Sequence, residues 1–104
     1  MRSPSLLKAE IEERLRRYLS RDKNGLRHEV LRLFVRMRSL TVREIYDYVK
    51  ERFNVTYHSL ASMVGTIASR IGILRVRKSV NNTTSVYELK EEYRDLLVRA
   101  LKAG

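Results

Sequence analysis

Apolar residues recur every three or four positions along most of this chain, which is the spacing of one face of an α-helix. The first stripe follows Ser3-Pro4, an N-cap residue and a proline at the first helical position, and predicts a helix over about 4–20. A second stripe begins after the turn at 21–25 and predicts a helix over about 25–38. The two stripes consist of Leu7, Ile11, Leu15 and Tyr18, and of Leu26, Val30, Leu33, Phe34 and Met37.

Two further helices are predicted in the middle of the chain. Thr41 and Glu44 form a capping box, in which each side chain satisfies a free backbone N–H at the start of a third helix. Thr56 is placed to cap a fourth helix over 57–71, and Gly72 ends it. The apolar faces consist of Val42, Ile45, Tyr46, Val49 and Phe53 in the third helix, and of Leu60, Val64, Ile67 and Ile71 in the fourth.

After Gly72 the pattern changes from a helical to a strand period. Apolar and basic residues alternate over 73–80, and apolar residues return over 85–90 beyond the polar tip 81–84, which predicts a two-stranded hairpin. Tyr93, Leu97, Ala100 and Leu101 then mark a C-terminal helix over about 90–102. Residues 1–104 contain no linker, repeat or low-complexity segment, so we expect a single domain, mainly α with a small β-hairpin.

The fourth predicted helix has an outward face of small residues. Opposite its apolar stripe lies Gly65, which costs about 1 kcal/mol relative to alanine in a helix and leaves the backbone open to a close partner. Nucleic-acid contact explains this face, and packing against a neighbouring helix or a second subunit is the alternative. The other residues of this face are His58, Ser59, Ser62, Thr66, Ser69 and Arg70.

The distribution of charge favours a polyanionic partner. The net charge is +10, and the 36 residues from Arg52 to Tyr87 contain no Asp or Glu. On the first hairpin strand Arg75 and Arg77 share one face, and Lys78 lies nearer the tip, so we expect them to face solvent with no acid close enough to pair with them. The alternative is an ordinary edge strand protected by charge.

The order of these elements resembles the winged helix-turn-helix family. SLTVREIYDYVKERF (39–53) matches the short strand and positioning helix, TYHSLASMVGTIASRIG (56–72) the recognition helix, and GILRVRK (72–78) with VYELK (86–90) the two wing strands. The resemblance covers about 26–90, with extra helices at about 4–20 and 90–102. The whole chain also resembles a small archaeal winged-helix family of undetermined function.

The resemblance implies that the helix at 57–71 enters the major groove of double-stranded DNA while the wing touches the backbone or minor groove. Asn and Gln are missing from the outward face and arginine stands only at its edge, so contacts that position the protein should outnumber contacts that read bases. The candidate nucleic-acid-binding residues are His58, Ser59, Ser62, Thr66, Ser69, Arg70, Arg75, Arg77, Lys78, Asn81 and Asn82.

The stripes of the two terminal helices are wider than a winged core of this size needs. They predict a homodimer formed through the terminal helices, which would place two recognition helices about one DNA turn apart. The alternative is that these helices close the core of a single chain.

Other classes of function find little support in the sequence. The chain has no cysteine, its two histidines lie thirty residues apart, and no glycine-rich loop, nucleophile–base pair or carboxylate dyad is present, so we expect no metal, no cofactor and no catalysis. No apolar run is long enough to span a bilayer or to form a signal peptide, which predicts a cytoplasmic protein without a membrane partner. The predicted function is a small transcriptional regulator. A protein-interaction module of a nucleic-acid-processing complex is the alternative, and RNA binding comes third.

Overall fold

The computed structural model describes residues 3–81 and 83–103, which form a mainly helical fold with one small sheet. The helices within these residues are α1 (Pro4–Ser20), α2 (Leu26–Met37), α3 (Val42–Val49), α4 (Tyr57–Thr66) and α5 (Arg94–Ala103). A π-helical segment, Ile67–Ile71, continues α4, and a 3-10 turn, Glu91–Tyr93, precedes α5. The strands are β1 (Ser39–Thr41), β2 (Leu74–Lys78) and β3 (Ser85–Leu89).

The helix starts are set by the predicted capping residues. The Ser3 hydroxyl accepts a hydrogen bond from the Leu6 N–H at 3.2 Å and begins α1. At α3 the Thr41 hydroxyl accepts from the Glu44 N–H at 3.1 Å, while the Glu44 carboxylate accepts from the Thr41 N–H at 2.8 Å. These bonds satisfy backbone donors that have no partner inside the helix, so the predicted starts of α1 and α3 are confirmed.

The sheet in the described residues has three antiparallel strands in the order β1-β3-β2, formed by the predicted hairpin and the short strand that the family resemblance implied. The strands β2 and β3 pair over five residues as expected, and the short segment Ser39–Thr41 adds to the other side of β3, with Leu40 opposite Tyr87. Leu40 is 1% exposed. Burial of this side chain and the backbone pairs of β3 hold the segment extended, and neither is visible in so short a stretch of sequence.

The terminal helices pack on each other and on α2 within this chain. Their inward residues are buried in one hydrophobic core, which also contains the apolar faces of α2, α3 and α4. The terminal helices contribute Ile11, Leu15 and Leu19 from α1 and Leu96, Leu97 and Ala100 from α5. Most of the apolar surface from which a homodimer was predicted is therefore used to close the core of a single chain.

Three predicted core positions lie differently in the structure. Leu7 is 38% exposed because residues 3–9 form an exposed first part of α1, and the buried stripe begins only at Ile11. Met37, the last residue of α2, is 43% exposed. Phe53 is partly buried and lies beyond the end of α3, which stops at Val49 and is followed by a turn. All three errors come from extending a helical period past the point where the helix or the core ends.

Candidate nucleic-acid interface

Helix α4 and its π-helical extension bury one face, as predicted. Leu60, Val64 and Ile67 are 0% exposed and Ile71 is 3% exposed. The helix begins at Thr56, whose hydroxyl accepts a hydrogen bond from the Ser59 N–H at 3.0 Å. This packing fixes the rotation of the helix and so determines which residues face outward.

The face of α4 and its extension that lies opposite the buried residues carries the residues predicted for it. Gly65 and Thr66 are partly buried. A Cβ built on Gly65 meets no described atom within 4 Å outside its own helix, so the glycine is not required by packing inside this chain. The explanation by a neighbouring helix of the same chain is therefore wrong at Gly65, and the surface is open to a partner. The remaining predicted residues of this face, all exposed, are His58, Ser59, Ser62, Ser69 and Arg70.

The helix changes from α to π geometry at Ile67, two residues after Gly65. The Gly72 N–H donates to the Ile67 carbonyl at 3.1 Å, and Gly72 ends the segment with φ of 87°, a value that glycine adopts without steric cost. The Ser69 hydroxyl donates to the Gly65 carbonyl at 2.9 Å, so its proton is already used within the helix. Such π-helical turns are frequent at functional sites.

The expectation that no acid pairs with the wing arginines is wrong. Arg75 and Arg77 are exposed as predicted, but the Glu88 carboxylate lies 3.8 Å from Arg75 Nη1 and 3.5 Å from Arg77 Nε. Glu88 stands opposite Arg75 in the register of β2 and β3 and follows the acid-free run in the sequence by one residue. Strand pairing brings together residues that counting along the chain keeps apart.

The wing tip is held by its own hydrogen bonds. Lys78 Nζ donates to the Ser85 hydroxyl at 3.1 Å. The Asn81 side-chain carbonyl accepts from the hydroxyls of Ser79 at 3.2 Å and Thr83 at 3.1 Å, so this part of Asn81 supports the turn. Asn82, also predicted to bind nucleic acid, lies outside the described residues.

The two other arginines between Arg52 and Tyr87, the acid-free run of the sequence, are Arg52 and Arg70, and they differ in their ion pairing. Arg52 Nη2 lies 2.7 Å from the Glu29 carboxylate on α2, so this arginine is also paired. Among the described residues, no carboxylate forms an ion pair with Arg70. Arg70 is therefore the arginine of this run whose charge is most available to a partner.

Sequence reasoning missed a second basic surface next to Arg70. A cavity of about 380 Å³ lies between α1, the start of α2 and the end of α4. The sequence contains one indication of this surface, because Arg14, Arg17 and Arg21 follow the helical spacing along one side of α1. The cavity is lined by Arg14, Arg17, Tyr18, Arg21, Arg27, Thr66, Arg70 and Ile71.

Asp22, in the loop between α1 and α2, forms a partly buried carboxylate–imidazole pair with His28 of α2. Asp22 Oδ2 is 2.6 Å from His28 Nδ1, and the Asp22 carboxylate also accepts from the backbone N–H groups of Arg27 and His28. Burial raises the pKa of Asp22, but the hydrogen bonds from His28 and Arg27 outweigh burial and hold it below the ordinary value. The bonds from the Arg27 and His28 N–H groups join the loop to the first turn of α2, so the pair has a structural role there. The His28 Nε2 atom is buried and has no hydrogen-bond partner among the described residues.

Neither a metal cluster nor a membrane helix is found in the part of the chain that the structure describes. No group of three or more His, Asp or Glu side chains there is arranged to hold a metal ion. None of the described helices combines the length and the apolar character needed to cross a membrane.

Fold and surface together define a small basic protein, mainly helical, with a three-stranded sheet beside an exposed helix face. The chain belongs to the family described as "Protein of unknown function (DUF2551)", whose profile matches residues 15–97. It is 41% identical over 92 residues to an uncharacterized protein of Archaeoglobus fulgidus, which covers 88% of this chain and 92% of that protein. These matches support the expected small archaeal family of undetermined function. No solved structure gives a significant match.

Proposed function

We propose that this protein is a winged helix-turn-helix protein that binds double-stranded DNA as a small transcriptional regulator. The element order from α2 to β3 supports the winged fold, since it runs helix, short strand, helix, helix and two wing strands. The pairing of β1 with β3 supports it further, because the short strand joins the wing in one sheet. In this assignment α3 is the positioning helix, α4 the recognition helix, and β2 and β3 form the wing.

The outward face of α4 is the observation that carries the proposal. Small hydroxyl side chains and the open backbone at Gly65 let a groove wall approach closely, and the uncompensated Arg70 stands at the end of this face. The helix with its extension is about 20 Å long at roughly 1.5 Å per residue, enough to lie in a major groove about 12 Å wide. Hydroxyl and arginine groups at such a surface contact mainly phosphates, so affinity depends more on salt than on base sequence.

Binding to a labelled random-sequence duplex of about two helical turns, measured by fluorescence anisotropy over a salt series, tests the proposal. We expect tight binding at low salt that weakens steeply as salt rises. Ser62→Glu should weaken binding more than tenfold because it places a carboxylate in the groove. Lys8→Glu is the control, since it lies on the exposed first part of α1 and changes the net charge by more. Absence of binding at low salt, or an equal effect of the two variants, would contradict the proposal.

One observation favours the second candidate, a protein-interaction module of a nucleic-acid-processing complex. The side chains of Tyr57 at the start of α4 and Val76 on β2 are 47% and 48% exposed, so apolar surface flanks the basic surface. Glu88 also lowers the net charge of the wing. This candidate predicts no duplex binding at low salt, which is the outcome that separates it from the regulator.

We also propose a homodimer through the terminal helices, with a smaller apolar contact than the sequence suggested. The apolar surface that α1 leaves outside the core includes Leu6 and Leu7, which are 52% and 38% exposed. Sedimentation equilibrium of the wild type and of Leu6→Ser/Leu7→Ser tests whether they join two chains. A monomeric wild type would exclude this dimer.

A further inference from the structure

The cavity beside Arg70 gathers five arginines from three helices. Arg14, Arg17 and Arg21 come from the last two turns and the end of α1, Arg27 from the first turn of α2, and Arg70 from the π-helical segment after α4. Thr66 adds a hydroxyl group. None of the described residues that line the cavity is acidic. Like charges gathered in one concave surface repel each other and raise the local concentration of anions.

The arginines are only partly compensated by acids outside the cavity. Arg14 lies 3.9 Å from Glu10 and Arg17 lies 3.7 Å from Glu13, both along α1 at the spacing of one helical turn. These are long, exposed pairs of the kind that contribute little. Within the described residues, no carboxylate forms an ion pair with Arg21.

Arg27 is held in place by the fold. Its guanidinium carbon lies 4.2 Å from the centre of the Tyr18 ring, and its Nη1 donates to the Tyr18 carbonyl at 2.8 Å. The Tyr18 side chain lines the cavity as a phenol, which carries its hydroxyl proton at neutral pH. A fixed guanidinium and a protonated phenol are donors that an anion meets without reordering them.

Three of the arginine charges lie at the C-terminal end of α1, where cations are stabilised by the helix dipole. Arg17 and Arg21 belong to that end, and Arg27 reaches it from the first turn of α2 through its bond to the Tyr18 carbonyl. A bound anion would reduce the repulsion of these charges from one another and from Arg70.

We propose that this arginine cavity binds a small molecule that carries an oligophosphate group. Guanidinium groups match phosphate oxygens in two-point hydrogen bonds, and five guanidinium groups carry more positive charge than a single phosphate group neutralises. The volume of about 380 Å³ is within the range of small-ligand sites. The cavity shares Thr66 and Arg70 with the outward face of α4, but its other four arginines belong to α1, the residue after it, and α2. A site for a small anion there goes beyond the proposed function.

Calorimetric titration of the full chain with inorganic triphosphate tests this site. We expect saturable binding of one triphosphate per chain, with an affinity that falls tenfold or more in Arg14→Gln/Arg21→Gln, because each variant position removes a charged hydrogen-bond donor. Arg36→Gln/Lys102→Gln removes the same number of charges outside the cavity and should leave the affinity nearly unchanged. Arg70→Gln, on a different helix, should weaken binding as well, and circular dichroism confirms that each variant is folded.

Three results would overturn the proposal. One is no binding of triphosphate to the wild type, and another is an equal loss in the cavity and control variants, which indicates attraction by net charge alone. The third is a loss of duplex DNA affinity in Arg14→Gln/Arg21→Gln as large as the loss for triphosphate, which would make the cavity part of a DNA surface. Failure of the DNA proposal is distinct, since it appears as a wild type that binds triphosphate but no duplex.

Discussion

At the level of single residues, a substitution at Gly65 can affect the stability of the fold and the binding of DNA in opposite directions. Its φ is not in the left-handed region, and an added Cβ has open space in the described structure. Gly65→Ala should therefore leave the free energy of unfolding unchanged or raise it by up to about 1 kcal/mol, as alanine favours the helix. It should weaken duplex binding if the helix backbone approaches DNA closely.

Urea denaturation and anisotropy on the same preparations measure both effects. Gly65→Ser is a useful comparison, because it restores a Cβ but keeps the polarity of the neighbouring surface. A marked loss of stability in Gly65→Ala would mean that the face is packed in the folded state. Higher stability with unchanged DNA affinity would make the glycine irrelevant to binding.

Asp22 gives the stability of this protein a dependence on pH. Its pKa is lowered in the folded state, so its contribution is present above the ordinary aspartate value of 3.8 and is lost as pH falls through the lower folded value. Asp22→Asn should cost about 1–3 kcal/mol at neutral pH, since buried partners lose a charged acceptor. Below pH 3.8 the difference between the two proteins should shrink.

Denaturant unfolding of both proteins at several pH values measures this difference. The comparison removes the contributions of other carboxylates, including Glu12, whose pKa is lowered by hydrogen bonds from Arg16 and Arg99. A difference that stays constant from neutral to acidic pH would show that Asp22 acts only through the shape of the loop.

At the element scale, the position of α4 depends on the residues buried beneath it. Ile67 is 0% exposed and lies at the change from α to π geometry. Ile67→Ala should lower the free energy of unfolding by about 2–5 kcal/mol, and Ile67→Val by about 0.5–1.5 kcal/mol, because the first leaves a larger cavity. Chemical denaturation measures both, and equal small effects would show that this face is not in the core.

Glu88 should reduce the affinity of the wing for DNA. Its carboxylate lies within 3.8 Å of Arg75 and Arg77, so a phosphate must compete with it for both guanidinium groups. Glu88→Gln should raise duplex affinity severalfold at low salt, with an effect that fades as salt increases. Glu92→Gln, an exposed acid outside the sheet, is the charge-matched control. An equal gain in both variants would attribute the effect to net charge.

The helices and strands show which parts of the fold are determined by local sequence. Helix starts at Ser3 and Thr41 were predicted because capping is a contact between residues three apart. The pairing of β1 with β3 was missed because Leu40 and Tyr87 meet only through the tertiary fold. The ion pairs of Glu88 with Arg75 and Arg77 were missed for the same reason, so the predicted wing had more net positive charge than the wing of the structure.

At the scale of the whole molecule, the face of α4 was predictable and the arginine cavity was not. The rotation of α4 follows from the period of Leu60, Val64 and Ile67, which a single segment contains. The cavity combines α1, α2 and the end of α4, and their approach depends on how the terminal helices pack. The spacing of the arginines along α1 indicates the wall of the cavity that this helix forms, and not the walls formed by α2 and the end of α4.

We propose that α4 and the wing together form one phosphate-binding surface. Four cations, Arg70, Arg75, Arg77 and Lys78, with Glu88 offsetting one, leave about three neutralised phosphates per chain. The log–log slope of duplex affinity against salt should then be near −2.7, at roughly 0.9 counterions per phosphate. Removing the three wing cations should leave about one contact and flatten the slope by about 1.8.

The measurement that tests this most directly is that slope for the wild type and for Arg75→Ala/Arg77→Ala/Lys78→Ala, at four salt concentrations on several duplexes. The control is Lys8→Ala/Arg36→Ala/Lys102→Ala, which removes the same charge from other surfaces. We expect a flatter slope and weaker binding to all duplexes in the wing variant only, with a melting temperature close to that of the wild type. A wing variant with the wild-type slope, or a control with the same change, would contradict it.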